Sequence, residues 1–292
     1  MLVMEPSTEG RLDTRHPLDQ LAPRELAALF AEHDRIAAEA VAAAGEAIAR
    51  AIELTRAALD AGGRLLLAGA GTSGRLAVIE AAECVPTFRC DRVLGVMAGG
   101  ANAFVTPIEG AEDVADGGAQ AARDLACDGR DFALGIAASG RTPYVHGFLD
   151  EARSRGARVG LVCCSPPPEV ELDVVVHLAT GPELLSGSTR LKAGTATKCA
   201  LNAITTGALA GLGKVYDDLM VDVAPTNAKL QRRAARIVRE LCPDADAEAL
   251  LAACGGEVKT AVVCARLSLD PAAARGRLAA EGGHLRRTLE TQ

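Results

Sequence analysis

Leu65-Leu66-Leu67-Ala68-Gly69-Ala70-Gly71-Thr72-Ser73-Gly74 runs from an unbroken apolar tetrad into a glycine-rich loop, and helical spacing follows from Gly74 to Cys84. A short apolar run without polar alternation is what a strand buried on both faces requires. The same unit recurs: Val93 to Ala98 precedes a helix beyond Glu112, and Ala133 to Ala138 precedes a helix from Pro143 to Arg155. Val159 to Cys163 and Val174 to Leu178 are two further strand segments. Strand, crossover and strand in repetition give a parallel sheet with helices on both faces. The expected fold class is α/β: a three-layer α/β/α domain of roughly five parallel strands, with binding loops at their carboxyl ends.

Working outward, residues 1 to about 22 are rich in Pro, Gly and charge and read as an arm. Pro23 to Ala61 has helical spacing, ended by Gly62-Gly63, and predicts one long helix or two shorter ones. Arg190 to Leu212 predicts a long helix of small residues. After Asn227 the strand signals vanish, and three or four short helices are expected, broken near Pro243, Gly255-Gly256 and Pro271. The expected organisation is residues 1–60 as arm and helices, 61–225 as the binding domain, and 226–292 as a small helical subdomain.

Of the 292 residues 49% are apolar, enough for a sizeable core. With no Trp, two Tyr and five Phe, a ligand site must use backbone donors, hydroxyls and charges instead of ring stacking. A net charge of -7 without a basic run excludes a nucleic-acid footprint and an anionic membrane surface. Nine scattered cysteines read as reduced thiols of a cytosolic protein. The N-terminal stretch lacks a basic segment followed by an apolar one, and no stretch is pure enough to span a membrane, so a soluble, unexported, cytoplasmic protein is expected.

Gly69-Ala70-Gly71-Thr72-Ser73-Gly74 matches the G-x-G-x-x-G dinucleotide fingerprint. A nicotinamide site also needs an acidic residue at the end of the next strand, and Val96-Met97-Ala98-Gly99-Gly100 has none. What remains is a pair of hydroxyls, Thr72 and Ser73, at a helix N-terminus, where free N–H groups favour an anion such as phosphate. Alternatively, either hydroxyl caps the helix. Ala138-Ser139-Gly140-Arg141-Thr142-Pro143 is a second junction of this kind, and Ser186-Gly187-Ser188-Thr189-Arg190-Leu191-Lys192 a third. Their convergence favours a phosphate site built from Thr72, Ser73, Gly74, Ser139, Gly140, Arg141, Thr142, Ser188 and Lys192.

Two carboxylates have catalytic potential. Glu83, beside Cys84, Val85, Pro86 and Phe88, would be kept protonated by an apolar setting and serve as an acid; Glu112 follows the second strand and reaches towards the same crevice. Composition and spacing alone do not separate either from an exposed helix-end carboxylate. Arg75, Arg190 and Lys198 are further cations that could contact the ligand, but at such positions a solvated surface charge is the commoner outcome. His146, His177 and His284 lie far apart and no C-x-x-C spacing occurs, so no metal is expected; nor is there a G-x-S-x-G nucleophile elbow.

Over nearly its whole length the chain resembles the N-acetylmuramic acid 6-phosphate etherases. The resemblance runs through Gly69 to Arg75, Ala82-Glu83-Cys84-Val85-Pro86-Thr87, Glu109-Gly110-Ala111-Glu112-Asp113 and Ile136 to Val145. It continues through Gly187 to Thr195, Leu219-Met220-Val221-Asp222-Val223 and Thr226-Asn227-Ala228-Lys229-Leu230. Val85 stands where the family usually has Pro, and in Thr8-Glu9-Gly10-Arg11-Leu12 a Leu replaces the Asn that usually follows Arg.

The resemblance implies a sugar isomerase (SIS) domain, a homodimer with its active site near the subunit interface, no cofactor, and a role in bacterial cell-wall recycling. It implies that Glu83 is the proton donor and Glu112 the second catalytic carboxylate. A sugar-phosphate aldose-ketose isomerase and a non-catalytic SIS regulator that senses sugar phosphate are the rival readings. The regulator would need a second SIS domain, for which the chain is too short.

Overall fold

The structure, a computed structural model, describes residues 7–13 and 17–291; residues 1–6 and 14–16 of the expected arm lie outside the described residues. The helical stretch after the arm is two helices, α1 (Pro23–Ala43) and α2 (Gly45–Asp60). α1 begins with Pro23 in its first turn, and the Glu25 carboxylate accepts the Ala22 N–H at 2.9 Å. On α2 the buried residues Ile48, Ala51, Leu54, Thr55, Ala58 and Leu59 follow helical spacing and form one stripe.

Five strands follow: β1 (Leu65–Gly69), β2 (Val93–Met97), β3 (Phe132–Ile136), β4 (Arg158–Cys163) and β5 (Val174–His177). They form one parallel sheet in the order β2-β1-β3-β4-β5. β1 and β3, in the interior, are buried at every residue, which explains their unbroken apolar runs; the edge strand β2 is partly open at its three central residues. Between and after the strands run α3 (Gly71–Phe88), α4 (Ala115–Asp124), α5 (Pro143–Ser154) and α6 (Lys192–Gly211).

α4 and α5 cover the sheet face formed by Leu66, Ala68, Ala133 and Val159. α2 lies against β1, β3 and β5, and α3 comes so near β2 that a Cβ on Gly95 would sit 2.5 Å from Ala77 O. The chain leaves β1 for β2 on one side and reaches β3 on the other. The crevice at the carboxyl ends of β1 and β3 is therefore the topological switch point, where open α/β sheets bind ligands.

By packing, the chain divides into two units, Met1–Ala81 with Arg92–Ile204, and Ala82–Asp91 with Thr205–Gln292. The sheet belongs to the first. The second contains α7 (Ala228–Leu241), α8 (Ala247–Ala253), α9 (Val258–Leu267), α10 (Pro271–Ala280) and α11 (Leu285–Glu290). These are five helices among the described residues, where the sequence suggests three or four. The extra break is Gly282-Gly283, both at positive φ, which separates α10 from α11.

Asn227, Asp246 and Asp270 cap α7, α8 and α10 through their side chains. Leu230, Ala234, Ile237 and Val238 of α7 pack with Val221, Val223, Val258, Ala261 and Val262 into the core of this unit. Lys259 Nζ, mostly buried there, is held by Asp222 at 2.9 Å and by Gly283 O at 2.8 Å. Burial lowers its pKa while Asp222 opposes the shift. All nine cysteines are free thiols and eight are buried. No helix of the described residues is long and apolar enough to cross a membrane.

Candidate functional site

α3 starts earlier than its spacing suggests, at Gly71 instead of Gly74. Gly71 makes this possible: its φ is +52°, which lets the chain turn straight from β1 into the helix. Gly74 N donates to Ala70 O at 3.1 Å, so Thr72 and Ser73 sit inside the first turn and neither occupies the cap position. Their N–H groups are those that an α-helix leaves without an intrahelical partner. Gly74 serves packing instead. It is buried, and a Cβ there would lie 2.5 Å from Met97 Cβ and 2.7 Å from Gly69 O.

The second loop leaves β3. Ser139 Oγ accepts the Arg141 N–H at 3.1 Å, Gly140 N donates to Ala137 O at 2.8 Å, and His146 Nε2 donates to Gly140 O at 2.8 Å. Cys164 N and Ser165 N both donate to Ala138 O, which ties this loop to the end of β4. Thr142 is the residue before α5, yet its hydroxyl makes no capping bond, and Pro143 takes the first helical position. The loop thus presents the Ser139 and Thr142 side chains from a backbone that is anchored elsewhere.

These two loops enclose a cavity of about 400 Å³ at the switch point. Of the residues singled out from sequence, it brings together Thr72, Ser73, Ser139, Arg141, Thr142 and Glu112. It adds Glu9, Asp113, Gly187 and Thr189. Glu112 is presented on an exposed 3-10 turn, Ala111–Asp113, entered through Gly110 in the left-handed region; it also lines a second, smaller cavity of about 150 Å³ with Arg75 and Glu109. Roomier hollows lie elsewhere, one among Leu241 to Arg266 and one between β2, α3 and α4, but they are largely apolar and collect no comparable set of hydroxyls.

Gly74, Gly140, Ser188 and Lys192 do not line the 400 Å³ cavity. Gly140 is turned into the protein, where a Cβ would meet Pro168 Cδ at 3.2 Å. Lys192 is buried at the start of α6, where the Glu183 carboxylate accepts its backbone N–H at 3.0 Å and that of Ala193 at 2.9 Å. Burial lowers the Lys192 pKa, and neighbouring Glu183 counters that shift. The third loop reaches the cavity through Gly187 and Thr189 instead.

Arg75 donates to the carbonyls of Phe104 at 2.8 Å and Ala103 at 2.7 Å. Lys198 Nζ pairs with the buried Glu80 at 2.6 Å. Glu83 is exposed on α3, while Cys84 and Phe88, one turn apart, form the buried stripe of that helix end.

The chain is similar to several known proteins. The glucokinase regulatory protein N-terminal SIS domain matches residues 47–153. A phosphoheptose isomerase from Neisseria gonorrhoeae superposes with a TM-score of 0.46 at 19% identity, over 63% of this chain and 96% of that one. The N-acetylmuramic acid 6-phosphate etherase of Synechococcus elongatus is 50% identical over 96% of this chain and 93% of its own. That of Synechocystis sp. is 48% identical over 94% and 92%. The α/β unit is a SIS domain, and with about half its residues identical to these relatives over nearly the full length of both, the chain belongs to the N-acetylmuramic acid 6-phosphate etherase family.

Proposed function

We propose that the chain cleaves the D-lactyl ether of N-acetylmuramic acid 6-phosphate, giving N-acetylglucosamine 6-phosphate and D-lactate. The observation that carries this reading is the single cavity in which the hydroxyls of Thr72, Ser73, Ser139 and Thr142 stand with Arg141 and Glu112, in a chain of this family. Hydroxyls, a cation and the free N–H groups of the first turn of α3 suit a phosphate.

An ordinary ether is inert, but the lactyl ether sits on carbon 3 of a sugar whose open-chain form has an aldehyde at carbon 1. That aldehyde acidifies the hydrogen on carbon 2. A base removes it, the carbon 3–oxygen bond breaks, and lactate leaves as its oxygen gains a proton. Water then adds across the unsaturated aldehyde: its oxygen bonds carbon 3 and a proton returns to carbon 2. The sequence needs two proton-transfer groups and a firm hold on a remote phosphate, whose binding energy positions carbons 2 and 3.

Glu112 takes the carbon-2 proton or activates the incoming water, and Glu83 protonates the departing lactate oxygen. The reading includes, as the family resemblance implies, a homodimer whose active site lies near the subunit interface, and Glu83 is exposed. It also places the enzyme in the cytoplasm, in recycling of cell-wall sugar.

A lactate assay on N-acetylmuramic acid, with and without its 6-phosphate, tests the substrate. Release only from the phosphorylated sugar is expected, and no release from either would end the proposal. Turnover in heavy-oxygen water tests the bond that breaks: label belongs in the sugar, and label in lactate contradicts the scheme. Glu83→Gln with undiminished turnover would remove the proposed acid.

A further inference from the structure

The short stretch Ser7–Gly10 belongs to the arm that composition marks as a tail, yet it is fastened to the sheet. Thr8 is fully buried; its hydroxyl lies 3.2 Å from that of Ser165, which also accepts the Thr8 N–H at 3.4 Å. Ser165 follows β4, and its own N–H donates to Ala138 O at 3.0 Å, in the loop that lines the cavity. From the other side Ser186 Oγ donates to Gly10 O at 3.1 Å. Glu9 lies between these two anchors and lines the cavity beside Glu112 and Asp113. Gly187 faces it at a φ of +76°, and a Cβ on Gly187 would come within 3.0 Å of Glu9 Oε2.

A carboxylate in a cavity built for an anion repels that anion, so bare phosphate gives Glu9 no purpose there. Its place makes chemical sense when hydrogen-bond donors arrive together with the phosphate, and the hydroxyls and acetamido N–H of an amino sugar are such donors. We propose that Glu9 recognises the sugar: its carboxylate accepts hydrogen bonds from the hexosamine while the loops after β1 and β3 hold the phosphate. The inference rests on the sugar-phosphate reading above. Ser165, which does not line the cavity, is a positioning residue that acts through Thr8 to hold Glu9 in place.

The test is calorimetric titration of the full chain and its variants with N-acetylglucosamine 6-phosphate and, separately, with inorganic phosphate. Removing a charged hydrogen-bond acceptor is expected to weaken sugar-phosphate binding by Glu9→Ala about tenfold or more. Inorganic phosphate should bind that variant as well as it binds the wild type, or more tightly. Ser165→Ala should show a smaller effect of the same kind, and the double variant should bind no more weakly than Glu9→Ala alone. If Glu9→Ala fails to fold, Glu9→Gln, which keeps one acceptor oxygen, should give the intermediate loss.

Unchanged sugar-phosphate affinity in Glu9→Ala, with normal wild-type binding, overturns the role of Glu9 alone. Equal losses for both ligands mean that the arm merely shapes the cavity, and also overturn it. Wild-type protein that binds no sugar phosphate overturns the underlying reading and this inference with it.

Discussion

Glu183 Oε1 accepts the backbone N–H of Ala193 at 2.9 Å, so a buried carboxylate closes the N-terminus of α6 just beyond the loop that reaches the cavity through Gly187 and Thr189. Its other oxygen accepts the Lys192 N–H at 3.0 Å.

Burial raises the Glu183 pKa above its ordinary 4.5, against the opposing effect of those two N–H groups and of Lys192. The folded state thus holds this proton more tightly than the unfolded chain. The contribution of Glu183 to stability is fully present below pH 4.5 and is lost as pH rises through the raised folded value. Glu183→Gln removes the titration, so denaturant unfolding at stepped pH should show a shallower decline across that window. A glutamine has one acceptor for two N–H groups, and an unmet buried donor should cost about 1–3 kcal/mol. A slope unchanged from wild type would show that Glu183 does not titrate there.

Gly74→Ala should destabilise the first unit by about 1–3 kcal/mol, as overpacking does, because the new methyl meets Met97 Cβ at 2.5 Å and the Gly69 carbonyl at 2.7 Å. Relief requires α3 to move off β1, which carries Thr72 and Ser73 with it. Thermal denaturation and phosphate titration should therefore worsen together. Loss of stability with phosphate affinity intact would mean that the loop does not depend on this contact.

Thr142→Val separates binding from capping. A capping threonine costs about 0.5–2 kcal/mol when removed, whereas the Thr142 hydroxyl makes no capping bond. The expected stability change is within about 0.5 kcal/mol, accompanied by a roughly tenfold loss of sugar-phosphate affinity. The reverse pattern, a less stable protein with unaltered affinity, would make Thr142 a cap.

Glu112→Gln should lower kcat by about 10²–10⁴-fold, the usual worth of a positioned acid or base. Glu112 is exposed, so the melting temperature should stay near that of wild type. Full activity in this variant would exclude Glu112 from proton transfer.

The five strands were legible because each is a short, mostly apolar run, and in β1 and β3 burial on both faces is written into adjacent residues of one segment. The helices around them were legible from spacing, with errors where a break depends on backbone conformation: Gly71 lets α3 start early, and Gly282-Gly283 divides the last helices. The loops carrying Thr72, Ser73, Ser139 and Thr142 could be read because strand-loop-helix junctions are local in the chain. Lys192 shows where this fails: a cation after a hydroxyl-rich loop looks like a phosphate ligand, but its backbone is spent on Glu183 and its side chain is buried outside the cavity.

By itself the sequence determined the sheet, the order of its elements and the family, since all three follow from patterns and motifs between near neighbours along the chain. Only the tertiary structure decided which side chains share the cavity. Thr8 and Ser165 are 157 residues apart, and no local propensity reports that their hydroxyls meet. That contact helps bring Glu9 from an unpromising arm to the cavity between the loops after β1 and β3, because side-chain packing joins residues that the chain keeps apart.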